Sequence, residues 1–266
     1  MLPVSEADRQ ALQDRLYGRS YKGITDLVTK WWWPRPAKVA VGWCARLGLT
    51  PNMVTLTGLL LVIYAGYAFY QGDYWLGLLA GWFMTFLDTV DGKLARVTIK
   101  SSRIGHVLDH GMDIIHPPFW YMLWGMSLTG PLWGWSLVEL YWWLFAGYIG
   151  GRLIEAAFHG LGPCSLFDWR PFDAYFRLIT GRRNPCLIIM TVALALGRPD
   201  LAFLGVVGWT VVSTGVLLIR LAQATAVRMA GGPLTSWLAD PEAAASNHPQ
   251  AFRSFSRTRG AYADGE

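Results

Sequence analysis

The sequence predicts an all-α integral membrane protein of six transmembrane helices, with interfacial helices on its cytosolic side. Three observations carry this. Of 266 residues, 53% are hydrophobic and 15% charged, against about a quarter charged in soluble domains. The apolar residues fall into runs long enough to cross a bilayer, separated by turns rich in Gly and Pro. Lysine and arginine are distributed one-sidedly: with the N-terminus inside, segments 1–50, 93–103, 152–183 and 220–259 hold 8, 4, 5 and 5 of them, and the outer turns hold only Arg198. That is a positive-inside pattern.

Taken in order, residues 1–50 form a cytosolic and interfacial N-terminal segment. The start, MLPVSEADRQ, carries acids and no apolar run, so no cleavable signal peptide is expected. Lys22, Lys30, Arg35, Lys38 and Arg46 surround Trp31, Trp32 and Trp33; aromatic rings beside cations favour the headgroup layer. Thr50-Pro51-Asn52 starts the first span, about 53–70, with Pro51 suited to a first helical turn. After the Gln71-Gly72-Asp73 turn, a second span from about 74 runs into Asp88. A third begins near Ile104 and passes Pro117 and Pro118, a fourth covers about 132–158, a fifth about 184–197, and a sixth follows Pro199 to about Arg228. Residues 51–230 thus make one six-span domain. Between spans four and five, Arg170, Arg177, Arg182 and Arg183 stand among Phe and Trp, as an interfacial helix or an anion-binding lid. The tail 231–266 is rich in Ala, Ser, Pro and Gly without periodicity and is expected to be disordered. The Trp excess reads as an aromatic belt, and Gly66, Gly77 and Gly81 as helix-packing positions.

The net charge of +5 comes from cations beside apolar spans, which suits anionic lipid headgroups and gives no reason to expect nucleic acid. Cys44, Cys164 and Cys186 lack ligand spacing.

Chemistry concentrates between Asp88 and Asp113, where four carboxylates and four cations interrupt the apolar pattern. Ionised groups there are costly unless they act. Asp88 and Asp91 (i,i+3) lie about 60° apart on one helix face, and Asp109 and Asp113 (i,i+4) about 40° apart on the next. Gly92, Ala95 and Gly105 leave room for close approach. Clustered carboxylates repel unless cations hold them. Magnesium or manganese, as two ions shared among four Asp, would do so with oxygen ligands. Arg96, Lys93 and Lys100 would meet phosphate.

The arrangement D-x2-D-G-x2-A-R-x8-G-x3-D-x3-D, met at Asp88, Asp91, Gly92, Ala95, Arg96, Gly105, Asp109 and Asp113, resembles the signature of the CDP-alcohol phosphotransferase family. The resemblance implies a membrane transferase of phospholipid synthesis, in which an acceptor alcohol attacks the β-phosphorus of a CDP-alcohol and CMP leaves. It implies metal ligation by Asp88, Asp91 and Asp109, with Asp113 as ligand, general base or both. Gly92, Ala95, Arg96 and Gly105 would lie against the nucleotide and diphosphate, and Asn52 either touches the donor or caps its helix. One substrate would be a lipid, the donor being CDP-diacylglycerol or a CDP-aminoalcohol. Leu108 to Asp113 resembles the choline and ethanolamine branch. Homodimers are common in the family. The site would face the cytosol, from a bacterial inner membrane or an organelle membrane.

Arg152 and Arg220 are further intramembrane charges that could hold an anionic acceptor; for Arg152 a pair with Glu155 (i,i+3) is the alternative. His106 near the opening is a third candidate for the acceptor, and His116 lies either on the cleft face or as a neutral residue bonded between helices. Acids in a membrane also mark cation or proton transporters. Those want charges near the midplane and inverted repeats, whereas these acids cluster toward one side.

Overall fold

The computed structural model describes residues 23–98, 103–129 and 132–256, and of 103–110 the backbone alone. Among these residues the fold is helical, a lone bridge between Leu132 and Trp135 aside. A π-helical turn, Val28–Trp32, leads into α1 (Pro34–Arg46). Four long helices follow: α2 (Pro51–Gln71), α3 (Tyr74–Thr98), α4 (Arg103–Met126) and α5 (Leu137–Leu161). A 3-10 turn, Leu166–Asp168, precedes α6 (Pro171–Ile179), α7 (Arg183–Ala195) and α8 (Pro199–Met229), and the chain ends in α9 (Pro241–Asn247) and α10 (Pro249–Phe255).

Boundaries follow local chemistry. The Thr50 hydroxyl accepts from the Met53 amide and Pro51 takes the first turn of α2, satisfying an orphan donor where proline's missing N–H costs nothing. Gly72, at φ 81°, closes the same helix in the left-handed region, which glycine enters without a Cβ penalty. Ser136 and Glu139 form a reciprocal capping box that starts α5. α3 continues without a break through Asp88 and Asp91 to Thr98, so these acids sit on one continuous helix.

Among the described residues two helices, α2 and α8, are long and apolar enough to cross a membrane. α7 has 13 residues, about 20 Å.

α2 packs along α3 and α4, α5 along α8, and α7 between α8 and α3. Their main core is aromatic. Phe69, Trp120, Tyr121, Trp124 and Phe203 are all buried, with Phe69 set edgewise against Trp120 at 5.9 Å and tilted against Trp124 at 5.1 Å. Both indole N–H groups of this core find a carbonyl: Trp120 donates to Val62 and Trp124 to Pro199, both at 2.9 Å, as burial of a polar edge favours. The tryptophans therefore divide. Trp31, Trp32, Trp43, Trp133, Trp135, Trp142 and Trp143 are exposed, while Trp120 and Trp124 are core. Gly66, Gly77 and Gly81 do serve packing, since a Cβ at each would press on Leu123, Phe69 or Trp120.

The disordered tail expected from residue 231 is corrected. Leu234 is buried with Phe158 and Trp169, and Ala251 and Phe255 of α10 pack on Ala174 and Leu178 of α6 together with Ile24, Leu27 and Trp237. Two seven-residue helices, each begun by a proline, are too short to show apolar periodicity, yet they bury enough surface to strap the N-terminal segment to α6. Residues 1–22 and 257–266 lie outside the described residues.

Packing gives two glycine substitutions opposite signs. A Cβ at Gly77 would stand 2.3 Å from the Phe69 ring, so Gly77→Ala should lose about 1–2 kcal/mol, overpacking exceeding the helix-propensity gain. At Gly208 nothing lies within 4 Å, and Gly208→Ala should hold or gain up to about 1 kcal/mol. Thermal unfolding of the purified protein in detergent measures both.

Candidate active site

Asp88 and Asp91 project from α3 and Asp113 from α4 toward one end of the bundle. There a cavity of about 400 Å³ is lined by Asp88, Gly92, Lys93, Arg96 and Asp113, by Arg152 of α5, and by Arg177, Arg182 and Arg183. Thr25, Asp26 and Thr29 complete its wall from the N-terminal segment.

Arg183 is the structural link between the acids. Its Nη2 donates to Asp88 Oδ2 at 2.6 Å and its Nη1 to Asp113 Oδ1 at 2.5 Å, and its side chain is only 13% exposed. Asp91 is held separately. Thr55 of α2 donates its hydroxyl to Oδ2 at 2.7 Å, while Oδ1 is buried with no hydrogen-bond partner among the described residues.

The opposite wall is basic. Arg182 is bonded to Glu155, and Arg152 stands 4.0 Å from the same carboxylate and 3.4 Å from the Tyr148 hydroxyl. Arg177 Nη1 and Arg182 Nε are buried without hydrogen-bond partners among the described residues. Burial, with the Arg182 charge beside it, pulls Arg177 down to about 9, against the opposing pull of Asp26 and Glu155. Asp26 accepts from the Val28 and Thr29 amides, the Thr29 hydroxyl and Asn184 Nδ2, the last at 2.9 Å. Burial works to raise its carboxyl, but Arg177 and these hydrogen bonds carry it below its usual value. Asp26 thereby pins the N-terminal segment to the start of α7.

Residues 48–159 match the family model described as CDP-alcohol phosphatidyltransferase. That stretch holds α2 to α5 and the three described carboxylates. The chain is 39% identical over 89 residues to archaetidylinositol phosphate synthase of Pyrococcus horikoshii, a match covering 32% of this chain and 45% of that protein. It is 31% identical over 156 residues to human cholinephosphotransferase 1, covering 56% and 36%. To the choline/ethanolaminephosphotransferase 1 of Arabidopsis thaliana it is 31% identical over 160 residues, covering 54% and 40%. The chain thus spans less than half the length of these curated relatives.

Within this matched stretch the expected site residues are partly assembled. Asp88, Gly92, Arg96, Asp113 and Arg152 line the cavity, with Asp91 buried beside Asp88 on α3. A Cβ at Gly92 would meet nothing within 4 Å, so its backbone faces open space. Ala95 is half-buried and Asn52 exposed in the first turn of α2; neither lines the cavity. The side chains of Gly105, His106 and Asp109 lie outside the described residues. His116 also departs from the cleft: its Nδ1 is 2.6 Å from the Met112 carbonyl of its own helix and its ring stands edgewise on Trp120.

Arg220 is a correction. Its guanidinium makes a bidentate pair with Asp173, Nε to Oδ1 at 2.6 Å and Nη2 to Oδ2 at 2.8 Å, and lies 4.5 Å over the Trp169 ring. It ties α8 to α6 and does not line the cavity. Arg152 lines the cavity and stands 4.0 Å from Glu155. Thr55, Asp26 and Arg183 were not singled out by sequence; Arg177, Arg182 and Arg183 were visible only as a basic run.

Among the described residues no three His, Cys, Asp or Glu side chains gather closely enough to hold a metal ion. The residues nonetheless fit a hard cation. The donors are all carboxylate oxygens, one of them buried and unsatisfied at Asp91, and a guanidinium already lies between Asp88 and Asp113.

The basic wall should take up a doubly charged anion. At pH 7 the folded protein bears the cost of a buried charged Arg177; this cost is full below about 9 and is shed as pH rises toward the unfolded value. Sulfate at ten times its dissociation constant should therefore add about 1.4 kcal/mol of stability, or about 3–6 °C in Tm. The increment should shrink as pH passes about 9, and at pH 7 it should fall in Arg177→Gln. Melting curves with sulfate against ionic-strength-matched chloride measure it.

Proposed function

We propose that this protein transfers a substituted phosphate from CDP-diacylglycerol to a phosphate-bearing alcohol, releasing CMP, in phospholipid synthesis. The observation that carries the reading is one cavity with two chemistries: the signature carboxylates Asp88 and Asp113 on one wall, with Asp91 behind them, and Arg152, Arg177 and Arg182 on the other. A diacylglycerol acceptor would bring no charge to meet those arginines. A phosphorylated polyol would, and the Pyrococcus horikoshii relative is an archaetidylinositol phosphate synthase. With the acceptor soluble, the lipid falls to the donor.

The reaction forms a bond between the acceptor oxygen and the β-phosphorus and breaks the β-phosphorus bond to the CMP oxygen. Magnesium or manganese, when bound, would neutralise the diphosphate and stabilise the leaving oxygen. Asp88, Asp91 and Asp109 would hold the ions. Asp113 would ligate an ion, take the acceptor hydroxyl proton, or both; as a weak base it depends on coordination and on water being excluded. Gly92 gives the diphosphate a path along bare backbone, Arg96 and Lys93 supply cations at the rim, and Arg152 orients the acceptor phosphate. Ala95, Gly105, His106 and Asn52 remain parts of this reading at the donor or the opening.

The same reading takes six spans with the N-terminus and the cavity facing the cytosol, supported by the one-sided lysine and arginine distribution. Under it, α1 and α6 lie at the interface, where the exposed Trp32, Trp43 and Phe172 suit headgroups. A homodimer through the spans belongs to it too, and light scattering of the detergent-solubilised protein tests that part.

Purified protein with magnesium or manganese should release CMP from CDP-diacylglycerol given glycerol phosphate or inositol phosphate, and not given choline-type donors with diacylglycerol. Asp91→Asn should reduce turnover by about 100-fold or more, as loss of a ligand group does. An Asp113→Asn enzyme with near-normal turnover would remove the base role. Arg152→Gln should raise the acceptor KM about 10-fold, equivalent to one charge-assisted hydrogen bond, with kcat changed far less. Release only with CDP-choline or CDP-ethanolamine and a lipid acceptor would reverse the assignment of donor and acceptor.

A further inference from the structure

Arg183 stands on the border between the two walls of the cavity. It is the first residue of α7, directly after Arg182, so its backbone belongs to the basic side. Its guanidinium is turned the other way, into the acids, spanning Asp88 and Asp113. That position is where a divalent cation sharing the same two carboxylates would sit. A guanidinium and a divalent ion cannot both occupy it, since their charges repel strongly at such distances in a low-dielectric site. The open cavity that Arg183 also lines offers a second place for its head group. Without an anion there, Arg152, Arg177 and Arg182 repel it; with one there, they and Arg183 share its charge.

We propose that Arg183 is a two-position cation: it neutralises the Asp88–Asp113 pair in the metal-free protein and turns to the acceptor's phosphate when a divalent ion takes that pair. Metal and anion then bind cooperatively. Each favours the orientation of Arg183 that the other needs, and the coupling is reciprocal. The inference rests on the divalent-metal, phosphate-acceptor reading above and adds an order to it. The carboxylates would be cleared for chemistry only when the acceptor's phosphate is present to receive Arg183. A fixed clamp would compete with the metal whether or not an anion is present, so the response of metal binding to an anion separates the two.

The test is Mn²⁺ binding to the full-length protein in detergent, followed by electron paramagnetic resonance of free Mn²⁺, with and without sulfate as the tetrahedral dianion. In the wild type, sulfate should tighten Mn²⁺ binding by about 5-fold or more, the lower end of ordinary coupling. Arg183→Gln should bind Mn²⁺ about 10-fold tighter than wild type without sulfate and respond to sulfate by less than about 2-fold, its switch being gone. Arg182→Gln removes a charge of the same sign from the cavity without touching the acids, and should tighten binding less. Arg183→Lys, which keeps the charge but cannot bridge two carboxylates, should fall between wild type and Arg183→Gln and carries the test if the latter does not fold. Equal or weaker Mn²⁺ binding in the Arg183 variants, an equal gain in Arg182→Gln, or a wild type indifferent to sulfate would overturn the inference while leaving the metal-dependent reading intact. Absence of Mn²⁺ binding in every variant would overturn both.

Discussion

The rest of this structure depends on how it keeps three acids inside a largely apolar bundle. Removing a carboxylate from water costs several kcal/mol that a partner must offset. Here the offset comes from elements far apart in sequence. Arg183 reaches Asp88 and Asp113 from the start of α7, and Thr55 reaches Asp91 from α2. These bonds join α2, α3 and α4 to the half formed by α5, α7 and α8. They fix the cavity at the meeting of the two halves, where a ligand is held by both. The same logic extends outward through Glu155, which faces Arg152 and Arg182 together, and through Asp26, which ties the N-terminal segment to Asn184.

The aromatic core serves that geometry. Phe69, Trp120 and Trp124 lock α2 to α4 with ring contacts and satisfied indole donors, so the faces bearing Thr55, the partner of Asp91, and Asp113 have little freedom to slide. On the other side, Asp173 with Arg220 fixes α6 to α8, and the folded C-terminal strap presses on α6 through Phe255. α6 carries Arg177. The strap therefore acts on the basic wall of the cavity, although none of its residues lines it.

Much of this was legible in the sequence where the information is local. Acids at i,i+3 and i,i+4 spacing define a face because the helix repeats every 3.6 residues. The Thr50-Pro51 start, the Gly72 stop and the capping box before α5 are complete within a few positions. What was not legible depends on contacts made across the fold. Arg183 lies 95 residues from Asp88 and Asn184 lies 158 from Asp26. In the sequence, Arg183 is one of several arginines among aromatics, with nothing to mark which would turn inward. Arg220 misled for the same reason. A charge inside an apolar run signals either a ligand or a buried partner, and that partner, Asp173, sat in a segment read as interfacial. The tail misled because helices of seven residues are too short to show a period.

The names of the two sets of relatives point to different substrates, and on the proposed reading the basic wall decides between them. The carboxylate signature is common ground: it suits a CDP-alcohol whichever substrate carries the lipid. On that reading Arg152, Arg177 and Arg182, half-buried opposite the acids, are a different kind of feature, because an uncharged acceptor would bring no charge to meet them. Such a wall destabilises the empty protein, with two guanidinium nitrogens lacking partners among the described residues and Arg177 held charged against burial. A fold keeps that cost where a bound anion removes it. On the proposed reading, the unsatisfied donors of the wall and the unsatisfied oxygen of Asp91 are two halves of one device. Each awaits a charge of opposite sign, and Arg183 stands between them with reach to both.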